Sequence, residues 1–341
     1  MGSAIADVAA RAGVSKATAS RALSGKGYVA DETRRRVQQA AKEIGFVASP
    51  NAAGLVTGQT KNIGVVIPFI NRWFFGEILE GIEEALLNRG YDTTLYNLHP
   101  GSADRDRVFD FFLARKRFDG VIAIGVEPTP GETERLLRLG IPMVSVGAPV
   151  SGIRSLTIDD VGAARLATEH LIGLGHRRIM YIGGVIGHPD EQTIHSHRRA
   201  GYLQAMAAAG LDSQIRTAQT AMSVPGGYEA GTHALSDATS RPSAVFAACD
   251  EVAIGAIIAA RRIGVRVPGD LSVIGIDGHE YAEMFSLTTI EQQPRVQGQS
   301  AVADLLAAVA GEPTAPDVIE MPARLVIRAS TAHAQLGADA V

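Results

Sequence analysis

The sequence holds one cysteine, Cys249, in 341 residues. A lone thiol closes no intramolecular disulfide, which excludes the cross-linked secreted scaffolds and points to a reducing compartment. Aromatic residues make up only 5% and charged residues 20%, against 46% hydrophobic. Those proportions exclude disordered, collagenous and coiled-coil classes and leave a globular protein. Long hydrophobic runs are missing too. The stretch from Met1 to Ala12 carries Asp7 and Arg11 and lacks the apolar core of a secretory signal, so export is not expected. The longest apolar run of the C-terminal half, Val252 to Ala260, falls short of the roughly 20 residues that cross a bilayer. The expectation is a cytoplasmic protein with no membrane partner.

Catalytic signatures are equally scarce. There is no G-x-S-x-G, no G-x-x-x-x-G-K-[ST] and no H-E-x-x-H, the patterns that place a nucleophile, a phosphate cradle or a zinc pair. His188, His195 and His197 cluster beside Arg198, in what reads as one loop, but without cysteine or the i, i+4 spacing of a helical metal pair. No enzyme, cofactor or metal is therefore expected.

Excess positive charge is absent on average, since the net charge is −4. The average hides a division. Residues 1–60 carry eight basic and four acidic side chains, a net +4, and the remaining 24 basic and 32 acidic residues sum to −8. A basic head on an acidic body suits a segment that binds nucleic acid joined to a mass that avoids it. The length itself suggests two or three domains.

The head reads as three short helices. Ser3 can cap a first helix in which Ile5, Val8 and Ala9 recur at helical spacing, and Gly13 supplies its ending turn. Ser15 caps a second helix running to about Leu23, and Asp31 a third in which Val37, Ala40, Ala41 and Ile44 form the buried stripe. A short helix after a Gly-containing turn is the helix-turn-helix arrangement, whose second helix enters the major groove. Lys16 and Ala17 then face base edges, and Arg21, one turn on, has the fork for guanine O6 and N7. Ser15, Thr18 and Ser20 are short hydroxyls suited to phosphate oxygens. From Phe46 to Gln59 small and turn-forming residues make a linker, with Pro50 placed to open a helical turn and Leu55 as its apolar residue.

Past the linker, apolar runs bounded by Gly or Pro recur, among them 63–68, 120–125, 142–147, 178–183, 244–249 and 271–275. Helical periodicity lies between them, as in Ile78, Ile82, Ala85 and Leu86. Alternation of strand and helix predicts parallel sheets covered on both faces, and about 270 residues of it exceeds one unit. Two doubly wound subdomains follow, with a ligand cleft at the carboxyl ends of their strands.

Specific motifs sharpen this. The string Ile5-Ala-Asp7-Val8-Ala9-x-x-Ala12-Gly13-Val14-Ser15-x-x-Thr18-x-Ser20-Arg21-x-Leu23, followed by Thr33-Arg34-x-x-Val37, resembles the DNA-binding head of the lactose repressor (LacI) family. The body resembles the same family at Ile63-Gly64-Val65, at 173–179 (GLGHRRI), at Arg198-x-x-Gly201-Tyr202, at Pro242-x-Ala244-Val245-Phe246-Ala247 and at 267–277. The resemblance spans about residues 4–330. It implies a small all-α helix-turn-helix head on an α/β core like a periplasmic binding protein. The head occupies 1–46 and a hinge helix 47–60. The effector-binding and dimerisation core is 61–341, its N-subdomain at about 61–160 and 293–321, its C-subdomain at about 161–292 and 322–341.

The function so implied is a homodimeric repressor on a pseudo-palindromic operator, released by a small effector, most simply a saccharide. The family's recognition positions fall on Lys16, Ala17 and Arg21. Its hinge contacts fall on Asn51 and on Leu55, an intercalating wedge for the minor groove. The hinge departs from the family pattern at Ala48, where proline is usual, and at Gly54, which weakens a short helix. The effector set implied is Trp73, Phe74, Asp160, Arg198, Cys249, Asp250, Asp277 and Gln292. Trp73 and Phe74 would stack on an apolar sugar face, while Arg198 and Asp277 donate to and accept from vicinal hydroxyls. Cys249 stands where many members have an asparagine that bonds the effector, which implies either a different effector or binding through Asp250 and water. The short Ala-rich tail after Arg328 lacks apolar heptads and so favours a dimer over a tetramer. The alternative is a solute-binding protein or carbohydrate-acting enzyme whose basic N-terminal segment is incidental.

Overall fold

The computed structural model describes residues 5–24, 27–46, 59–99, 105–108, 117–126, 128–185, 193–313, 315 and 317–335. The chain divides into two compact units, a helical head and an α/β body.

The head contains α1 (Ile5–Ala12), α2 (Lys16–Ser24) and α3 (Asp31–Glu43). Their shared core is built almost wholly from small residues, Val8, Ala9, Ala19, Ala22, Val29, Val37, Ala40 and Ala41. Small side chains let three short helices approach closely. Gly13 ends α1 at φ +65°, a conformation that costs glycine little. Ser15 Oγ accepts from the Thr18 backbone N–H at 3.1 Å, so Ser15 caps α2. The cap of α3 differs from expectation. Asp31 is the first residue inside that helix, and Ala30 occupies the cap position with no side-chain bond. Asp31 and Glu32 instead favour the positive end of the helix from its first turn. Arg11 donates to Glu43 at 2.9 Å, joining α1 to α3.

The body alternates as the apolar runs predict. In chain order come β1 (Asn62–Ile67), α4 (Trp73–Leu87), β2 (Asp92–Asn97), β3 (Gly120–Ile124), α5 (Pro130–Arg138), β4 (Met143–Val146) and β5 (Arg154–Thr157). Next are α6 (Asp160–Gly173), β6 (Ile179–Gly183), α7 (Ile194–Ala208), β7 (Arg216–Gln219), α8 (Val224–Leu235), β8 (Ala244–Ala247) and α9 (Asp250–Arg262). The chain closes with β9 (Ser272–Asp277), β10 (Thr288–Glu291), α10 (Pro294–Val309), β11 (Val318–Glu320) and β12 (Arg324–Val326).

Two six-stranded sheets result, ordered β11-β5-β4-β3-β1-β2 and β12-β10-β9-β8-β6-β7. In the first, β1 pairs with β3, β3 with β4, β4 with β5 and β5 with β11, all parallel. In the second, the pairs from β7 through β6, β8 and β9 to β10 are parallel, and β12 alone runs antiparallel, on β10. The central strands β8 and β9 are buried throughout, as parallel strands covered on both faces must be. The edge strands β2 and β7 are polar and largely open, which is why no apolar run announces them. The chain passes between sheets after β5, after β10 and after β11. Ile63, Ile78, Ile82, Leu86, Ile122 and Val144 centre the first core. Tyr202, Phe246 and Ile274 centre one face of the second, and Val245, Ile257 and Val273 the other. Among the described residues, no helix is long and apolar enough to cross a membrane.

Candidate functional site

The head offers one outward face. Along α2, Ala19 and Ala22 turn into the core while Lys16, Ala17, Ser20 and Arg21 stay exposed. Spacing of four residues stacks Lys16 on Ser20 and Ala17 on Arg21, and the two pairs lie beside each other on the exposed surface of the helix. Arg21 Nε donates to the Ala17 carbonyl at 3.3 Å, so the guanidinium folds along its own helix, a bond easily exchanged for a base edge. Ser15 and Thr18 share a hydroxyl bond of 2.9 Å at the N-terminus of α2. That end also carries the helix's free N–H groups and positive dipole, which suit a phosphate. The hinge positions Asn51 and Leu55, with Ala48 and Gly54, lie outside the described residues.

In the body, a cleft of about 380 Å³ opens at the carboxyl ends of β1, β6, β7, β8 and β9. Phe69, Arg72, Phe74 and Phe75 line it from the first subdomain, and His195, Arg198, Cys249, Glu251 and Asp277 from the second. Arg198 projects from α7 and is buried. Its Nε donates to Asp160 Oδ1 at 2.8 Å and its Nη1 to the Ala248 carbonyl at 2.5 Å, with Asp277 Oδ1 3.9 Å away. Burial favours loss of its proton, but the two carboxylates outweigh that and hold the guanidinium charged. Nη2 has no protein partner among the described residues, so one donor edge is left for a ligand.

Asp277 ends β9 with φ 141°, a strained value for a side chain with a Cβ. Gln292 holds it there, donating from its backbone N–H to the Asp277 carbonyl at 3.3 Å and from Nε2 to Oδ1 at 2.6 Å. The second carboxylate oxygen has no described partner. Burial pushes the Asp277 carboxyl well above the usual carboxylate range, and Arg198 pulls the other way. A donor and an acceptor thus stand side by side.

Several residues expected in the site support it instead. Asp160 aligns Arg198 from behind and belongs to a separate surface with Pro149 and His197. Asp250 Oδ2 accepts from the backbone N–H groups of Gly278 and His279 at 3.0 and 2.8 Å, and Oδ1 accepts from the Thr289 hydroxyl at 2.7 Å. Both oxygens are taken, so Asp250 anchors the turn after β9 and does not face the cleft. Gly275 makes room for this, since a Cβ there would lie 2.1 Å from Asp250 Oδ1. Burial lifts the Asp250 carboxyl to about 6 despite those bonds. Gln292 positions Asp277. Trp73 stacks its indole on the His279 ring at 4.5 Å and 25°, and its neighbour Phe74 lines the cleft. Phe74 and Cys249 do line the cleft, and burial keeps the Cys249 thiol protonated.

The histidine group differs most from expectation. His195 and His197 sit on α7, because Thr193 and Ser196 form a reciprocal capping box that starts the helix at Ile194; His188 lies outside the described residues. Serine in place of the usual acidic partner hid that box. His195 is one turn before Arg198, lines the cleft, and burial lowers its pKa to about 4. Among the described residues, its buried Nδ1 has no partner. Phe69, Arg72, Phe75 and Glu251 were missed because nothing local marks them; Phe69 follows β1 at the same strand end as Phe74, the only available hint.

A basic recognition helix and a two-walled cleft with a buried donor and acceptor define a class, the ligand-responsive DNA-binding regulators. Residues 4–49 match the bacterial regulatory proteins of the lacI family, and residues 168–331 the periplasmic binding protein-like domain. The HTH-type transcriptional repressor PurR of Pectobacterium carotovorum subsp. carotovorum (strain PC1) is 35% identical, with 96% of each chain covered. The HTH-type transcriptional repressor CytR of Escherichia coli (strain K12) is 33% identical over 95% of each. Among solved structures, the Lac repressor dimer bound to operator and the anti-inducer ONPF superposes with a TM-score of 0.86 at 24% identity, covering 97% of this chain and 100% of that one. The CelR–cellobiose complex superposes at 0.69 with 29% identity, covering 96% and 99%. The chain belongs to the LacI family of transcriptional regulators.

Proposed function

We propose that this protein is a cytoplasmic homodimeric repressor that binds a pseudo-palindromic operator through α2 and is released when a saccharide fills the cleft. The observation that carries the effector half is the Arg198–Asp277 pair, one donor and one acceptor with a free edge each at the cleft. That is the pairing vicinal hydroxyls need. Cellobiose bound in a relative of the same fold supports a sugar. Lys16, Ala17 and Arg21 read bases, while Ser15, Thr18 and Ser20 hold phosphates. The mechanism is a population shift: operator and effector prefer different relative positions of the two subdomains.

Such coupling is reciprocal, which makes it testable. Calorimetric titration of the effector with and without operator should show each weakening the other by the same factor, and independent binding overturns the mechanism. Asp277→Ala should retain operator binding in a gel shift and lose release by effector; intact release would place the effector elsewhere. Operator affinity should fall steeply with salt, because the contacting face is basic and its charges displace counterions.

A further inference from the structure

The entry of the chain into β1 is built around one side chain. Asp119 stands immediately before β3 and is half-buried. Its Oδ1 accepts from the Thr60 backbone N–H at 2.6 Å and from the Thr60 hydroxyl at 2.9 Å, and its Oδ2 accepts from the Lys61 backbone N–H at 2.9 Å. Among the described residues, every bond of that carboxylate goes to the two residues that precede β1. The Asn62 backbone N–H donates to the Thr60 hydroxyl oxygen at 3.3 Å, and the Asp119 backbone N–H donates to the Asn62 carbonyl at 2.9 Å. Lys61 is held at φ +53°, a left-handed conformation uncommon outside glycine.

The sheet does not require this arrangement. The parallel pairing of β1 with β3 begins one residue later, at Ile63 and Gly120, where both strands are apolar and buried. Bonds from N–H groups to a charged acceptor are the stronger kind, and two consecutive backbone N–H groups on one carboxylate fix a stretch of chain that would otherwise turn freely. We infer that Asp119 is a positioning residue for operator binding. It makes the entry to β1 a rigid joint, so that a change in the first subdomain reaches the linker instead of being absorbed by rotation at residues 60 and 61. This rests on the operator role given to α2 above and adds the residue through which the body acts on it.

The test compares full-length Asp119→Ala with the wild type in a gel shift, on a duplex that the wild type selects from a randomised palindrome library. The variant should bind about 10-fold more weakly, the scale of leaving roughly one backbone residue to be ordered on binding. Its dependence of affinity on salt should be unchanged, because the phosphate contacts of the head are untouched. Affinity within about 2-fold of the wild type, or a shallower salt dependence, overturns the positioning role. Trypsin reads the joint itself, since Lys61 is the only cleavage site between Lys42 and Arg72. Asp119→Ala should speed cleavage after Lys61 roughly 5-fold or more, with the rest of the digestion pattern unchanged, because only the joint opens more often. Equal rates overturn the clamp, and faster cleavage throughout the body would make Asp119 a general stabiliser and overturn the assignment. Asp119→Asn keeps the shape and the Oδ1 acceptor but turns an N–H towards the Lys61 N–H. It should bind between the other two, and it carries the test if the alanine variant does not fold. A wild type that selects no duplex overturns the repressor reading and this inference with it, whereas a wild type that selects one and is matched by its variants overturns this inference alone.

Discussion

Arg21 in the head and Arg198 in the body carry the same guanidinium and are treated in opposite ways. Arg21 is exposed, and the one described bond of its guanidinium goes to a carbonyl of its own helix. Arg198 is buried, with two hydrogen bonds and two carboxylates around it. The difference follows from what each must recognise. Base edges lie in a groove the protein enters from solvent, so a flexible reader that gives up a weak bond loses little. A small ligand offers few contacts, and ordering a side chain on binding would use up much of their energy. The body therefore settles the geometry of its arginine during folding.

Removing each arginine separates these designs. Arg198→Ala should have the largest effect, because it leaves the buried Asp160 and Asp277 without their cation; breaking a buried pair in this way costs about 3–5 kcal/mol. Denaturant unfolding of the body measures it, and a loss within about 0.5 kcal/mol, the range of ordinary surface changes, would put Arg198 in Arg21's category. Arg21→Ala should leave unfolding unchanged and reduce discrimination among operator variants by about 1–3 kcal/mol. Competition gel shifts across single-base variants check it; an unchanged order of preference would remove Arg21 from base reading.

The smallest effect concerns pH. Residues 1–60 contain no histidine, whereas burial holds His195 and His279 at about 4 in the body. A depressed folded pKa means that the unfolded chain takes up the proton first. Each of these histidines therefore contributes stability that is present above about 6.5 and lost as pH falls towards 4. Buried Asp250 acts in the opposite sense between about 4 and 6, since its folded pKa is raised. His195→Phe should accordingly make the stability of the body fall less steeply between pH 6.5 and 4 than the wild type. Parallel curves would show that His195 does not titrate with folding.

Local sequence carried the head and the buried strands. Val37, Ala40 and Ala41 at helical spacing are the face of α3 that packs, and runs such as 244–247 and 272–277 are the most buried strands of the second sheet. It failed at edges and caps. β2 and β7 are polar because one side meets solvent, and Ala30 replaces the expected Asp31 cap because acidic residues in the first turn serve the same helix end. In the cleft, Phe74, Arg198, Cys249 and Asp277, which the family resemblance implied, do line the wall. Trp73 and Asp250 instead meet His279 and Thr289, partners remote in sequence that no local pattern announces.

That Ala17 and Arg21 lie one above the other on α2, as Lys16 and Ser20 do, was determined by sequence alone, because residues four apart are neighbours on any helix. The cleft was not. Whether Asp250 is consumed or free and which edge of Arg198 remains open depend on partners up to 50 residues apart in sequence, brought together by the fold. A buried polar group is defined by what satisfies it, and only the tertiary structure chooses that partner.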